Sequence, residues 1–95
     1  NIMRITTQIL EDRINYLNEL TNNPKTPRTQ KNGKVISNIG NYHLDGAYGG
    51  WELYQMHNTG GGVDNPLRTG HIPKKELYNL INAFISGIES VKYSQ

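Results

Sequence analysis

The chain has 95 residues, a net charge of +2 and a mean hydropathy of −0.67, which fits one domain and is too little charge to indicate nucleic-acid binding. It has no cysteine, which excludes disulfides and thiolate metal sites and is compatible with a reducing compartment. No apolar stretch is long enough to span a membrane and no signal peptide is visible, so we expect a cytoplasmic protein without membrane contact.

The N-terminal part predicts an amphipathic helix over residues 6–22. Thr6 or Thr7 is a suitable N-cap, because a threonine hydroxyl can accept from a free N–H of the first turn. One stripe of side chains recurs at helical spacing, formed by Leu10, Ile14, Leu17 and Thr21. The helix must end before Pro24, because proline cannot continue the hydrogen-bond ladder.

A polar connection over residues 24–34 contains a weak hairpin signal, which predicts short edge strands near residues 28–30 and at residues 34–37. Asn32-Gly33 is typical of a two-residue turn, because both residues tolerate positive φ. Residues 20–44 contain no acid and four basic side chains, Lys25, Arg28, Lys31 and Lys34. This basic segment is either a solvated hairpin or a contact patch for an anionic partner.

Two antiparallel strands are predicted at residues 41–45 and 51–57, on either side of a glycine-rich connection. On the second strand, Trp51 and Leu53 share one face. The opposite face carries the bulky side chains of Glu52, Tyr54 and Met56. A strand with large side chains on both faces is either central in its sheet or in contact with a partner.

The clearest element is a second helix that begins at Pro73, since proline suits the first helical position. Its apolar stripe consists of Leu77, Leu80, Ile81, Phe84, Ile85 and Ile88. Two such helices would cover one face of a small sheet. The sequence thus predicts an α+β fold, in which a small antiparallel sheet of two to four strands packs against two amphipathic helices in the order α-β-β-α. The other sheet face would be free, so we expect a homo-oligomer that buries it.

The first candidate site combines a glycine-rich loop with the start of the second helix. A helix N-terminus carries free N–H groups and partial positive charge, yet basic side chains surround this one. An anion held there would resolve the conflict; alternatively the lysines point into water. The residues concerned are Gly60, Gly61, Gly62, Arg68, His71, Lys74 and Lys75.

The second candidate site is the connection between the two strands. Its glycines would let a ligand approach the backbone closely, and Asn41, His43 and Tyr48 offer donors and acceptors beside them. The alternative is a hairpin whose glycines serve only its own turn. Both interpretations can hold together.

Catalytic and metal-binding patterns do not stand out. His43, His57 and His71 lack the i and i+4 spacing of a helical metal site. No Ser/His/Asp order, carboxylate pair or cysteine nucleophile is recognisable. We therefore expect no enzyme activity, no metal and no cofactor.

The chain resembles a group of small accessory proteins of tailed phages and prophages. The resemblance spans most of the sequence and is carried by residues 16–18, 23–24, 38–44, 47–50, 53, 60–62, 75–78, 84 and 87–88. It implies a non-structural protein that works in the cytoplasm of a bacterial host cell. Small phage proteins of this kind often bind and block a host factor, including components of host defence.

The leading hypothesis is a non-catalytic accessory protein that binds a host protein or sequesters a small anionic ligand such as a nucleotide signal. The alternative is a small nucleic-acid-binding module that uses the basic segment and exposed tyrosines. An enzyme of unrecognised type is a third class. The salt dependence of binding distinguishes the accessory-protein hypothesis from the nucleic-acid hypothesis, because binding to a phosphate backbone weakens steeply with ionic strength.

Overall fold

The computed structural model describes residues 4–94. Two helices enclose the β region of the chain, which confirms the α+β class and the order α-β-β-α. A short two-stranded hairpin precedes the main sheet, whose third strand has only two residues. The elements are α1 (Thr7–Leu20), β1 (Arg28–Lys31), β2 (Lys34–Ser37), β3 (Tyr42–Ala47), β4 (Gly50–Met56), β5 (Val63–Asp64) and α2 (Lys74–Tyr93).

Helix α1 begins as its cap residue predicts. The Thr6 hydroxyl accepts from the Ile9 N–H at 3.2 Å. The helix ends at Leu20, two residues earlier than the sequence predicts, because Asn22 adopts a left-handed φ of 57° before Pro24. Its buried apolar face consists of Leu10, Ile14, Leu17 and Leu20.

The first hairpin pairs β1 with β2 around the turn that Asn32-Gly33 predicts. Lys31 and Lys34 are partners across that turn, whose residues have φ values of 52° and 76°. All residues of the two strands are exposed except Ser37. This hairpin therefore contributes little to the core and projects its basic side chains into solvent.

The main sheet has the order β3-β4-β5 and is antiparallel throughout. Leu44 pairs with Leu53 on the face that packs against the helices, and the Leu53 side chain is fully buried. Strand β3 is fastened to α1 by Asn18, whose side-chain amide donates to the Tyr42 carbonyl and accepts from the Tyr42 N–H, at 2.9 and 2.7 Å.

The chain then runs back along the second edge of β4. Val63 pairs with Met56 at the end of β4. At the start of β4, Trp51 and Ile72 exchange two backbone hydrogen bonds of 2.8 and 3.0 Å. Strand β4 is therefore paired on both edges near each of its ends.

Helix α2 supplies Leu77, Ile81 and Ile85 to the core, each of them fully buried. It is joined to α1 by hydrogen bonds from Tyr16 to Glu89 and from Arg13 to Asn82. Neither helix in residues 4–94 combines the length and the apolar character needed to cross a bilayer.

The sheet face that points away from the helices is not open, contrary to the expectation from sequence. Glu52 and Met56 lie on that face, and their exposed fractions are only 3% and 2%. The segment that returns along β4 accounts for part of this burial, because His71 lies against Glu52. A second subunit is thus not needed to cover these two side chains.

Candidate functional site

Six polar and aromatic side chains gather on the sheet face that points away from the helices. We call this group the outer-face cluster. It takes residues from β3, from β4, from the turn between them and from the segment before α2. Its members are His43, Asp45, Tyr48, Glu52, Tyr54 and His71.

His71 lies between two carboxylates at the centre of the cluster. Its Nε2 is 2.7 Å from Asp45 Oδ2, and its Nδ1 is 3.6 Å from Glu52 Oε1. Asp45 and Glu52 are cross-strand partners, which explains why both reach the same imidazole. The Glu52 side chain is almost completely buried, whereas Asp45 keeps 38% of its side-chain surface in contact with solvent.

A row of rings runs across the cluster in edge-to-face contacts. The centroids of His43 and Tyr54 are 5.8 Å apart, those of Tyr54 and His71 are 6.2 Å apart, and those of His71 and Tyr48 are 5.6 Å apart. Desolvation, followed by the charges of Asp45 and Glu52, raises the pKa of Tyr54. Tyr54 is therefore a neutral hydrogen-bonding group near pH 7.

The row ends at Tyr48, which occupies an unusual position for an aromatic residue. Tyr48 and Gly49 form the two-residue turn between β3 and β4, with φ values of 53° and 74°. Asn, Asp or Gly is preferred at such a turn, because a bulky side chain is strained at positive φ. Yet Tyr48 is 97% exposed, so little packing compensates for this backbone strain.

At its other end the row meets a groove of about 440 Å³ beside the free edge of β3. His43 and Asp45 line it, together with Glu11 from α1 and the basic residues Lys25 and Arg28. Burial, and then the charge of Arg28, lowers the pKa of His43. His43 is accordingly neutral near pH 7, and Arg28 and Lys25 supply the positive charge of the groove.

Two polar atoms of the cluster have no hydrogen-bond partner within residues 4–94. They are Glu52 Oε2 and His43 Nδ1, and both are buried. An unsatisfied buried polar group is costly. Asn41 Oδ1, outside the cluster, is a third buried atom without a partner, so these atoms do not by themselves mark a ligand site.

The structure separates the two halves of the first predicted site. The loop containing Gly60, Gly61 and Gly62 follows the end of β4, whereas Ile72 pairs with Trp51 at its start. Five residues of strand correspond to about 17 Å. The glycine loop and the start of the second helix therefore lie toward opposite ends of β4, rather than together as the sequence predicts.

The loop N–H groups are also engaged within the loop. Asn58 Oδ1 accepts from Gly60 at 2.9 Å and from Gly62 at 3.0 Å, and the Gly61 N–H donates to the Asn58 carbonyl. These glycines are therefore organised by Asn58. They do not present free donors to an anion.

The remaining basic residues of the first predicted site lie apart from the outer-face cluster. Arg68 is exposed and lines a separate polar groove with Asp64. The Lys74 ammonium lies 5.8 Å from the Trp51 ring centroid, and Lys75 is exposed. Of this predicted group, only His71 joins the cluster.

Only some residues of the second predicted site lie in the outer-face cluster. His43 and Tyr48 belong to the cluster, but Asn41 is fully buried and donates to the Pro24 carbonyl at 2.7 Å, which fastens the connection to β3. Gly50 is required by packing, because a Cβ there would lie 2.8 Å from the His71 carbonyl carbon.

Sequence reasoning missed Asp45, Glu52 and Tyr54 as site residues, whereas Lys25 and Arg28 were named only as part of a basic contact patch. Strand alternation gave a partial signal, since it placed Glu52 and Tyr54 on one face and His43 and Asp45 two residues apart. No group of three or more His, Asp or Glu residues within residues 4–94 is arranged to hold a metal ion. Comparisons with protein-family models, curated proteins and solved structures found no match.

Proposed function

We propose that the chain is a non-catalytic binding protein that sequesters a small anionic ligand of the nucleotide class. The observation that carries this proposal is the row of rings that ends at the strained, exposed Tyr48 and begins at a groove with two basic residues. Its origin in a phage or prophage and its work in a bacterial cytoplasm rest on the resemblance alone. Inhibition of host defence would follow if the ligand were a defence signal.

The groove supports binding of the anionic part of the ligand. Its volume of about 440 Å³ lies within the usual range for small-molecule sites. Arg28 can hold a phosphate through two parallel hydrogen bonds, and Lys25 adds a point charge. Glu11 and Asp45 face the same groove, but the contact between Asp45 and His71 draws that carboxylate toward the imidazole.

Tyr48 supports binding of an aromatic part. An exposed ring held in a fixed backbone conformation is a suitable stacking surface for a base. His43 and Tyr48 lie five residues apart, which corresponds to about 16 Å of extended chain. A ligand that reaches both must be elongated, as a dinucleotide or a nucleotide with an extended phosphate arm would be.

The contacts of His71 support a binding role in preference to a catalytic one. Both of its ring nitrogens point at carboxylates, Nε2 at Asp45 and Nδ1 at Glu52. Nε2, which is hydrogen-bonded to Asp45, is then not free to act as a base toward a ligand. Asp45, which remains partly exposed, can accept a hydrogen bond from an amino or hydroxyl group of the ligand.

Calorimetry with a panel of mono- and dinucleotides tests the proposal. Tyr48→Asn should weaken binding by about 1–3 kcal/mol, the usual contribution of one stacked base, while relieving the strained φ. Arg28→Ala should weaken it by about 1.5–3 kcal/mol, the range for a charge-assisted hydrogen bond. Arg68→Ala is the matched control, because Arg68 lines a different groove, and should leave affinity unchanged.

The outcome that contradicts the proposal is binding that depends on Arg68 and not on Arg28 or Tyr48. In that case the ligand lies near the loop before α2. If no nucleotide binds, the small-ligand proposal is wrong and a host protein becomes the favoured partner, with Tyr48 as an exposed aromatic anchor.

A nucleic-acid-binding module is the second candidate, and the β1–β2 hairpin favours it. Arg28, Lys31 and Lys34 are all exposed on this hairpin. Binding to an oligonucleotide should then fall steeply with salt and be lost when Lys31 and Lys34 are both changed to Glu. The same double change should have little effect on a small ligand in the groove, which neither lysine lines.

A further inference from the structure

The apolar surface of α2 is wider than the part that the fold buries. Leu77, Ile81 and Ile85 are fully buried. A second stripe lies beside them and runs along the flank of α2 opposite α1. It consists of Leu80, Ala83, Phe84, Gly87, Ile88 and Val91, which we call the α2 seam; Leu80 is 40% and Val91 68% exposed. Its C-terminal part forms an open, almost wholly apolar groove of about 590 Å³.

Gly87 lies in the middle of this seam, and no contact within the subunit explains why a glycine stands there. Glycine is among the least favourable residues in a helix interior. A Cβ at Gly87 would meet nothing within 4 Å, so no intramolecular contact requires its small size. A close approach from outside the subunit would require it.

We propose that the α2 seam binds the same seam of a second copy of this chain, with the two helices antiparallel. A twofold axis between residues 85 and 86 places Phe84 of one copy opposite Gly87 of the other, and Ala83 opposite Ile88. Leu80 then meets Val91. Each pair near the axis matches a large side chain with a small one, which is the shape complementarity that an isologous interface needs.

The spacing of the seam fits this arrangement. Leu80, Phe84, Gly87 and Val91 are separated by four, three and four residues, the alternation that forms the contact line between two packed helices. Antiparallel helices also align their dipoles favourably. The pairing extends the helical layer, because α1 lies on the opposite flank of α2, where Asn82 and Glu89 contact it.

Charge does not oppose the contact. Lys92, at the rim of the groove, donates to the Leu20 carbonyl at 2.8 Å and is drawn toward α1. Glu89 accepts from Tyr16 on that same flank. A single helix pair is a small interface compared with the roughly 800 Å² per partner of a typical stable complex, so we expect a weak, concentration-dependent dimer.

Sedimentation velocity over a range of concentrations tests the dimer. The wild-type chain should pass from monomer to dimer at tens of micromolar. Val91→Asp should weaken association by about tenfold or more without affecting folding, because Val91 is largely exposed. Val35→Asp is the control: Val35 is 63% exposed on β2 and lies outside the seam. A wild type that stays monomeric, or an equal effect of both changes, overturns the proposal.

Gly87→Gln separates assembly from folding. Glutamine is the better helix former, so the monomeric variant should melt at a higher temperature than wild type while it dimerises more weakly. Dimerisation as strong as in the wild type would show that no second copy approaches Gly87 and would overturn the proposal.

Cysteine cross-linking tests the register, since the natural chain has no cysteine. The double variant Leu80→Cys/Val91→Cys should form a covalent dimer on mild oxidation. Within one helix these positions are about 16 Å apart, too far for an internal disulfide. Val91→Cys alone should not cross-link. If it cross-links as well as the double variant, the helices are parallel and the proposed pairing is wrong.

Discussion

Asn18 is the single polar side chain of α1 on which the packing of the helix against the sheet depends most. Its side chain is buried and makes two hydrogen bonds to the backbone of Tyr42, 2.9 Å to the carbonyl and 2.7 Å from the N–H. These backbone groups point away from β4, because Tyr42 lies on the outer edge of the sheet. In the part of the chain that the structure describes, Asn18 is their hydrogen-bond partner.

Asn18→Ala should therefore destabilise the fold strongly. It leaves one buried donor and one buried acceptor unsatisfied, and each costs about 1–3 kcal/mol. Alanine returns about 0.5–0.7 kcal/mol through its higher helix propensity. The net expected loss is about 1.5–5 kcal/mol, a large part of the 5–15 kcal/mol that stabilises a typical domain.

Urea denaturation followed by circular dichroism measures this loss. Asn15→Ala is the matched control, because Asn15 lies on the same helix, has the same side chain and is exposed. The Asn15→Ala variant should gain only the free energy of alanine's higher helix propensity and become slightly more stable. If the two variants differ by less than about 1 kcal/mol, a value typical of ordinary substitutions, the attachment of β3 through Asn18 is unimportant and this reasoning fails.

Three further changes test the core, the site and its charge. Ile81→Ala should cost about 2–5 kcal/mol in a denaturation experiment, because Ile81 is fully buried. Gly50→Ala should cost about 1–3 kcal/mol, since its Cβ would lie 2.8 Å from the backbone of His71; an unchanged melting temperature would contradict this contact. The lowered pKa of His43 means that the unfolded chain takes up a proton more readily, so stability falls as pH drops below about 6.5. His43→Gln should make that decline shallower, and an unchanged slope of stability against pH would argue against the burial of the imidazole.

The elements that sequence predicted well are those specified by local patterns. The spacing of Leu10, Ile14 and Leu17 requires a helix with one buried face. Asn32-Gly33 requires a turn, because few other residue pairs tolerate two successive positive φ values. Such features depend on residues within one or two turns of each other and are readable without knowing the tertiary structure.

The site was predicted only in part because its assembly is long-range. His71 was assigned to a helix N-terminus, whereas the backbone pairing of Ile72 with Trp51 brings it beside Glu52. No local sequence pattern predicts the pairing of Ile72 with Trp51. For the glycines between the strands, the sequence leaves open whether they admit a ligand or serve the hairpin itself; at Gly50 it is the His71 backbone that approaches closely. Both features depend on the segment that returns along β4, which the sequence does not reveal.

Substitutions in the cluster differ in whether they affect the fold, ligand affinity or both, because the residues differ in burial and in their contacts. His71 is fixed by the backbone bonds between Trp51 and Ile72 and by two carboxylates, so removing its ring would disturb the fold and the site together. Tyr48 is different, because its ring is exposed and its backbone strained. Replacing it with Asn should leave stability unchanged or slightly raised while it removes the proposed binding surface. A residue whose loss lowers affinity without lowering stability contacts the ligand directly. In this cluster, Tyr48 is the residue at which the two effects can be separated.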